Sequence, residues 1–179
     1  GTGPFEDVYL ISNHFSSGPD SRVGQRREQA RYGAAIVNAI QQAEPTARIV
    51  FGGDLNVFPR PDDPFRPGDS HFNSDQLASL YDDAHLKNLW DTLAADVPAS
   101  AYSYNFDGQA QTLDHLFVSQ TLFSDLVQVR EAHINSDYPA DFDGDGPRGT
   151  SDHDPPVARF RFVQPDTTAQ RPQRGGQPR

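Results

Sequence analysis

Asp54 and Asn56 stand two residues apart, immediately after the short apolar run Arg48–Phe51 and its Gly-Gly step. An extended backbone there projects both side chains from one face into a common cleft. A carboxylate binds a cation or accepts a proton from water, and a neutral amide orients water or donates to a phosphate oxygen without repelling it. The pair suits phosphoryl chemistry, although Gly, Asp and Asn are also ordinary turn residues. A second reactive pair, Asp152 and His153, lies in a Gly- and Asp-rich loop just before the last apolar stretch. Histidine exchanges a proton near neutral pH, and a neighbouring carboxylate can set its tautomer.

Other residues carry weaker signals. His14 ends an apolar run, where a satisfied surface or core histidine is the ordinary reading. Tyr102 and Tyr104 in Tyr-Ser-Tyr-Asn-Phe suit cross-strand packing, with a stacking or phosphate-contacting edge from either, Tyr104 the first choice, as the alternative. Arg22, Arg26, Arg27 and Arg31 form a solvated helix face in the plain reading. In the sharper one, Arg26 and Arg27 reach substrate phosphates beside His14. Asp141, Asp143, Asp145 and Gly146 imitate the start of a calcium loop, but Asp152 replaces the closing Glu, so an acidic surface loop is the better reading.

The elements that must position these residues follow from periodicity. Val8–Asn13 and Arg48–Phe51 read as buried strands. Between them Ala30, Ala34, Val37 and Ile40 make a helical stripe in Gln25–Gln42, closed by Pro45. Strand, helix, strand implies a layered α/β arrangement. Residues 59–74 read as a long surface loop, and a second helix is expected within Asp75–Leu93. Tyr102–Phe106 and Thr112–Val118 flank an Asp107-Gly108 turn signal and are expected to pair as a hairpin. Leu126–His133 is a further strand, and Val157–Phe162 alternates Ala158, Phe160 and Phe162 with Arg159 and Arg161, as a half-buried last strand should.

Composition narrows the function classes. The 179 residues suffice for one domain, and no apolar run reaches bilayer length. Zero cysteines exclude disulfides and thiolate metal sites. A formal charge of −10 argues against a passive nucleic-acid binder, but not against an enzyme whose carboxylates hold a divalent cation. All basic residues but Lys87 are Arg. Gln164–Arg179 is nearly devoid of apolar residues and reads as a disordered tail or linker beyond a domain of residues 1–163.

Four motifs in order, NHFSS (13–17), GGDLNVFP (52–59), TLDHLFVS (112–119) and SDHDP (151–155), resemble the C-terminal motifs of the endonuclease/exonuclease/phosphatase family. That family includes DNase I-like nucleases, abasic-site endonucleases, sphingomyelinases and inositol-phosphate phosphatases. The motif spacing is most similar to bacterial secreted nucleases, which implies secretion. The resemblance implies an α/β fold of DNase I type, a four-layer sandwich of two mixed β-sheets flanked by helices. It also implies a magnesium-dependent phosphodiesterase, with manganese or calcium as alternative ions, acting on nucleic acid. Phosphatase or phospholipid phosphodiesterase chemistry is the alternative, as is a non-catalytic binding segment. Carried over, Asp54 and His153 activate water, Asp114 orients His153, Asn56 and His14 contact the phosphate, and Asp152, Asp54 and Asn56 lie at the metal. His115 and Asp154 match less essential positions. Full family domains begin with a strand carrying Asn and then a Gln-Glu pair whose Glu is the main metal ligand. Neither precedes Val8, so the chain is expected to be the C-terminal portion of a domain, with the N-terminal segment as its partner.

Overall fold

A computed structural model describes residues 6–18, 21–60, 74–138 and 150–162. The acidic run Asp141–Asp145 and the tail from 164 lie outside the described residues, as do most of the loop expected at 59–74 and the border at 163.

Strand β1 (Val8–His14) leads through helix α1 (Val23–Ala43) to strand β2 (Arg48–Asp54), which lies parallel to β1. The helical stripe packs as anticipated, burying Ala30, Ala34 and Val37. Gly33 belongs to the same face because a Cβ there would fall 2.5 Å from the Phe51 ring. Arg26 extends this stripe one turn back and is fully buried, unlike the solvated face expected of it. Arg22, Arg27 and Arg31 are exposed.

The segment expected as one helix within Asp75–Leu93 is broken. A 3₁₀ turn (Asp75–Leu77), capped by the Ser74 hydroxyl accepting from the Gln76 N–H, runs into a π turn (Ser79–Asp83). His85 at φ 52° then ends the helical path, and β3 (Lys87–Asn88) precedes helix α2 (Leu89–Asp96). Asn88 caps α2 through its side-chain oxygen.

The expected hairpin also changes partners. Asp107 and Gly108, both at positive φ, close a two-residue turn between β4 (Tyr104–Phe106) and β5 (Gln109–Gln111). Strand β6 (Asp114–Val118) leaves that ladder and pairs antiparallel with β2 and β3, giving a mixed sheet of order β1-β2-β6-β3. Ser119 pins β6 to β2 by accepting from the Ile49 N–H and donating to the Ala47 carbonyl, and it caps the short helix α3 (Gln120–Ser124). Strands β7 (Leu126–Glu131) and β8 (Pro156–Phe160) form an antiparallel ladder.

Two cores follow from alternation. Ile49, Phe51 and Phe117 face α1. Val50, Leu116 and Val118 face the β7–β8 ladder, which contributes Val129, Ala158 and Phe160 with Phe162 just beyond. Helix, mixed sheet and ladder are thus stacked layers of an α/β sandwich. The expectation of a buried first strand needs correction: among the described residues β1 lies at the sheet edge, paired only with β2, and Leu10 is 73% exposed. Only Ile11 among its apolar residues packs into the α1 core.

Candidate active site

Strand register assembles the site. His14 stands opposite Asp54 across β1–β2, and Asp54 stands opposite Asp114 across β2–β6. The three side chains therefore form one row across three strands, a placement that only cross-strand pairing produces. Gly53 makes the crossing possible: its φ is 130°, and a Cβ would meet the Asn13 carbonyl oxygen at 2.1 Å.

His153 enters from the loop before β8. Its Nδ1 lies 2.6 Å from Asp114 Oδ2, its Nε2 4.0 Å from Asp54 Oδ2, and its ring stacks on Tyr104 at 4.6 Å. An Nδ1–H donated to Asp114 leaves Nε2 as a proton acceptor turned toward Asp54. The bond to Asp114 raises the His153 pKa above its ordinary value against the opposing effect of burial, helped by the charges of Asp114, Asp54 and Asp152. Burial raises the Asp54 pKa, with the Asp114 charge adding to it, while the Asn56 N–H works the other way. His14 Nε2 is 3.4 Å from Asp54 Oδ2, on a side chain that is largely exposed.

Asp54, Asp114 and His153 each offer a ligand atom within 4.8 Å of the others, which makes them a metal-capable group. Asp152 is exposed and stands outside that group; its charge reaches His153 through space. Asn56, at φ 51°, donates from Nδ2 to the Phe15 carbonyl, and its backbone N–H donates to Asp54 Oδ1. The pair proposed from spacing is thus held by a tight local turn, not by an extended strand.

The two arginines separate. Arg26 donates from Nε to Gln76 Oε1 at 2.7 Å and from its terminal nitrogen to the carbonyls of Ser16 and Gly18, bracing the loop after His14. Arg27 pairs with Asp75 on the surface.

Three supporting residues were missed or set aside in the sequence. Ser103 is fully buried; its hydroxyl donates to Asp114 Oδ2 at 2.7 Å and accepts from the Leu113 and Asp114 N–H groups. Strand alternation in Tyr-Ser-Tyr, which points the serine opposite to both rings, was its signal. Asp154 accepts the N–H groups of Ile134, Asn135 and Ser136, the Ser136 hydroxyl and a His133 ring nitrogen. Burial opposes its ionisation most strongly, yet these bonds together lower its pKa. Its own N–H donates to Ser103, which seats the His153 loop on the hairpin. His115 is entirely buried, so its pKa is lowered; Nε2–H donates to the Val57 carbonyl and Nδ1 accepts from Asn88. It anchors the segment that follows Asp54 and Asn56.

Among known structures, truncated Caenorhabditis elegans TDP2 matches at 24% identity and TM-score 0.44, covering 69% of this chain and 43% of that one. Humanized D. rerio TDP2 matches at 18% identity and TM-score 0.55, covering 87% of this chain and 55% of that one, a likeness of fold. The chain therefore spans about half the length of the solved structures it matches. No curated protein matches it. Residues 1–136 match the profile described as Endonuclease/Exonuclease/phosphatase family, and with its row of His14, Asp54 and Asp114 on one sheet the chain belongs to that family.

Proposed function

We propose that this chain supplies the proton-transfer side of a metal-dependent phosphodiesterase, most simply an endonuclease hydrolysing DNA or RNA with activated water. The observation that carries this reading is the Asp114–His153 bond with Nε2 turned toward Asp54. In this reading His153 takes the proton of a water held between it and Asp54, and Asp114 holds the ring in the productive tautomer. Asn56, bordering the cleft, and exposed His14 contact the phosphate.

The donor set fits a hard cation in part. Asp54 Oδ2 is turned to the two imidazoles, and Asp54 is already a carboxylate disfavoured by burial and by a second carboxylate. Asp114 Oδ2 is committed to Ser103 and His153. Asp54 would thus be the principal holder in this chain, with Asp152 near enough to add charge. Magnesium keeps several waters and uses one or two protein carboxylates, and once bound it would offset charge developing on the phosphate oxygens. The upstream segment of the same domain is proposed to supply the remaining carboxylate.

The test is DNA hydrolysis with magnesium, by the chain alone and by the chain supplied with its upstream segment. Hydrolysis is expected only with that segment, and His153→Ala should lower it by about two to four orders of magnitude. Near-normal turnover in His153→Ala would remove the proposed chemistry.

A further inference from the structure

The outer face of the β7–β8 ladder carries a run of arginines. Strand alternation turns Leu126, Val129, Ala158 and Phe160 into the inter-sheet core and leaves Gln128, Arg130, Val157 and Arg159 on the opposite, exposed face. The register shift between Leu126 and Gln128 keeps that pattern intact, because it seats Gln128 opposite Arg159 and Arg130 opposite Val157. Arg161 continues the face one step past β8. Its N–H donates to the Asp125 carbonyl at 2.8 Å, and its side chain is exposed between the partly buried Phe160 and Phe162.

Arg130 is the diagonal neighbour of Arg159, and Arg161 stands two residues further along, so the three cations follow one another at intervals of about 7 Å. Glu131 is turned inward and Asp125 pairs with Arg48, which leaves this face of the two strands without a carboxylate. Among the described residues none of the three arginines has an ion pair, whereas Arg27, Arg48 and Arg60 are all paired. Arg130 is oriented instead by an uncharged neighbour: the Gln128 side-chain oxygen accepts from its Nε at 3.0 Å and from a terminal nitrogen at 2.9 Å. Like charges this close repel, and a chain with 25 acidic residues against 15 basic ones leaves them unneutralised among the described residues.

We propose that this face is an auxiliary surface for the sugar-phosphate backbone of a nucleic acid, apart from the cleft. The choice of a nucleic acid among polyanions rests on the phosphodiesterase reading. An open strip of evenly spaced cations matches a ligand that repeats its charge along a chain, and guanidinium forks donate to phosphate oxygens in pairs. β8 also leaves directly from the loop that carries His153. Even a fully extended chain puts Arg159 at most about 22 Å from that histidine and Arg161 at most about 29 Å. At about 3.4 Å per step, a duplex seated at His153 needs no more than about nine base pairs on one side to span that distance. The strip thus gives a protein of net charge −10 a local hold on an anionic substrate.

The experiment is fluorescence-anisotropy titration of a labelled DNA duplex of about 30 base pairs with the 179-residue chain, without magnesium and between about 20 and 200 mM NaCl. The triple variant R130Q/R159Q/R161Q is expected to bind at least about tenfold more weakly at the lowest salt. The slope of log affinity against log salt should fall by about one for each arginine removed. R130K/R159K/R161K keeps the charge, and should hold the slope while losing part of the affinity. All three side chains are exposed, so both variants should fold, with urea midpoints as the check. Unchanged affinity and slope in R130Q/R159Q/R161Q would overturn the surface. Polyglutamate binding as tightly as the duplex would give the face to acidic protein partners and overturn its assignment to nucleic acid. The titration is repeated with the upstream segment supplied; if wild type and R130Q/R159Q/R161Q then bind alike, the face belongs to that segment and the proposal fails. Because binding is read without turnover, a difference that persists in a domain unable to hydrolyse DNA would defeat the functional reading and leave the surface standing.

Discussion

Replacing Glu131 by glutamine is expected to stabilise the protein at alkaline pH and to do little in acid. Glu131 ends β7 on the face that Val129 turns into the inter-sheet core, is 8% exposed, and its Oε2 finds no hydrogen-bond partner among the described residues. Burial pushes its carboxyl up to about 8 from an ordinary 4.5, with the charges of Asp114 and Asp154 adding to the effect. The sign follows from which state holds the proton. Below pH 4.5 the group is neutral folded and unfolded, and no penalty arises. Between 4.5 and about 8 the unfolded chain ionises while the folded one does not, so stability falls as pH rises, and above about 8 the loss is constant. At about 1.4 kcal/mol per unit, that loss is on the order of 5 kcal/mol, a large fraction of a small domain's stability. Asp54 and His153, also raised, lose stability in the same direction, so the wild type alone does not isolate Glu131. The difference between wild type and Glu131→Gln does. Urea unfolding of both at pH 4.5 and pH 8.5 is the assay, and the variant should gain several kcal/mol on the wild type between the two. Parallel pH dependence in the two proteins would refute the assignment of a neutral buried carboxyl.

Two further outcomes concern the hydrogen-bonded pair. Asp114→Asn should leave the fold intact but lower turnover steeply in the hydrolysis assay proposed above, because an amide can hold the imidazole in the wrong tautomer; a folded variant with unaltered rate and pH profile would contradict the pairing seen at 2.6 Å. Ser103→Ala removes a hydroxyl that donates to Asp114 and accepts two backbone N–H groups, and should cost about 1 to 3 kcal/mol in thermal or urea unfolding. Unchanged stability would show that the loop reorganises around the loss.

The parts legible in the sequence are those set by local periodicity. The α1 stripe needed only the 3.6-residue repeat, and β8 needed only alternation of Ala158, Phe160 and Phe162 with two arginines. Turn chemistry located the Asp107-Gly108 hairpin, but not its partners, because the β5 strand Gln-Ala-Gln carries no apolar signal. Arg26 misled because a charged side chain suggests solvent; the stripe that places it inside runs through Ala30 and Ala34. The segment before α2 was illegible for a tertiary reason. His85 adopts a left-handed conformation that its residue type does not announce, and Asn88 is drawn into a bond with His115, far away in the chain.

The site itself shows why its chemistry was readable and its support was not. Asp54, Asp114 and His153 sit in motifs, but they meet only because antiparallel register places residue 54 against 114, and register is a property of two strands together. Ser103 then ties three separate segments to one another. Its side chain takes Asp114, its N–H pairs with Gln111 in the hairpin, and its carbonyl receives the N–H of Asp154 beside His153. Asp154 spends its carboxylate on the turn at Ile134–Ser136, so the loop carrying His153 is held from both sides. The Asp114–His153 pair is therefore held in place by Ser103 and Asp154 of this chain. Among the described carboxylates, Asp114 has one oxygen committed twice, and Asp54 turns an oxygen toward both His14 and His153. In the proposed reading, a cation held at Asp54 should thus change little in the geometry of His153, which these bonds already fix.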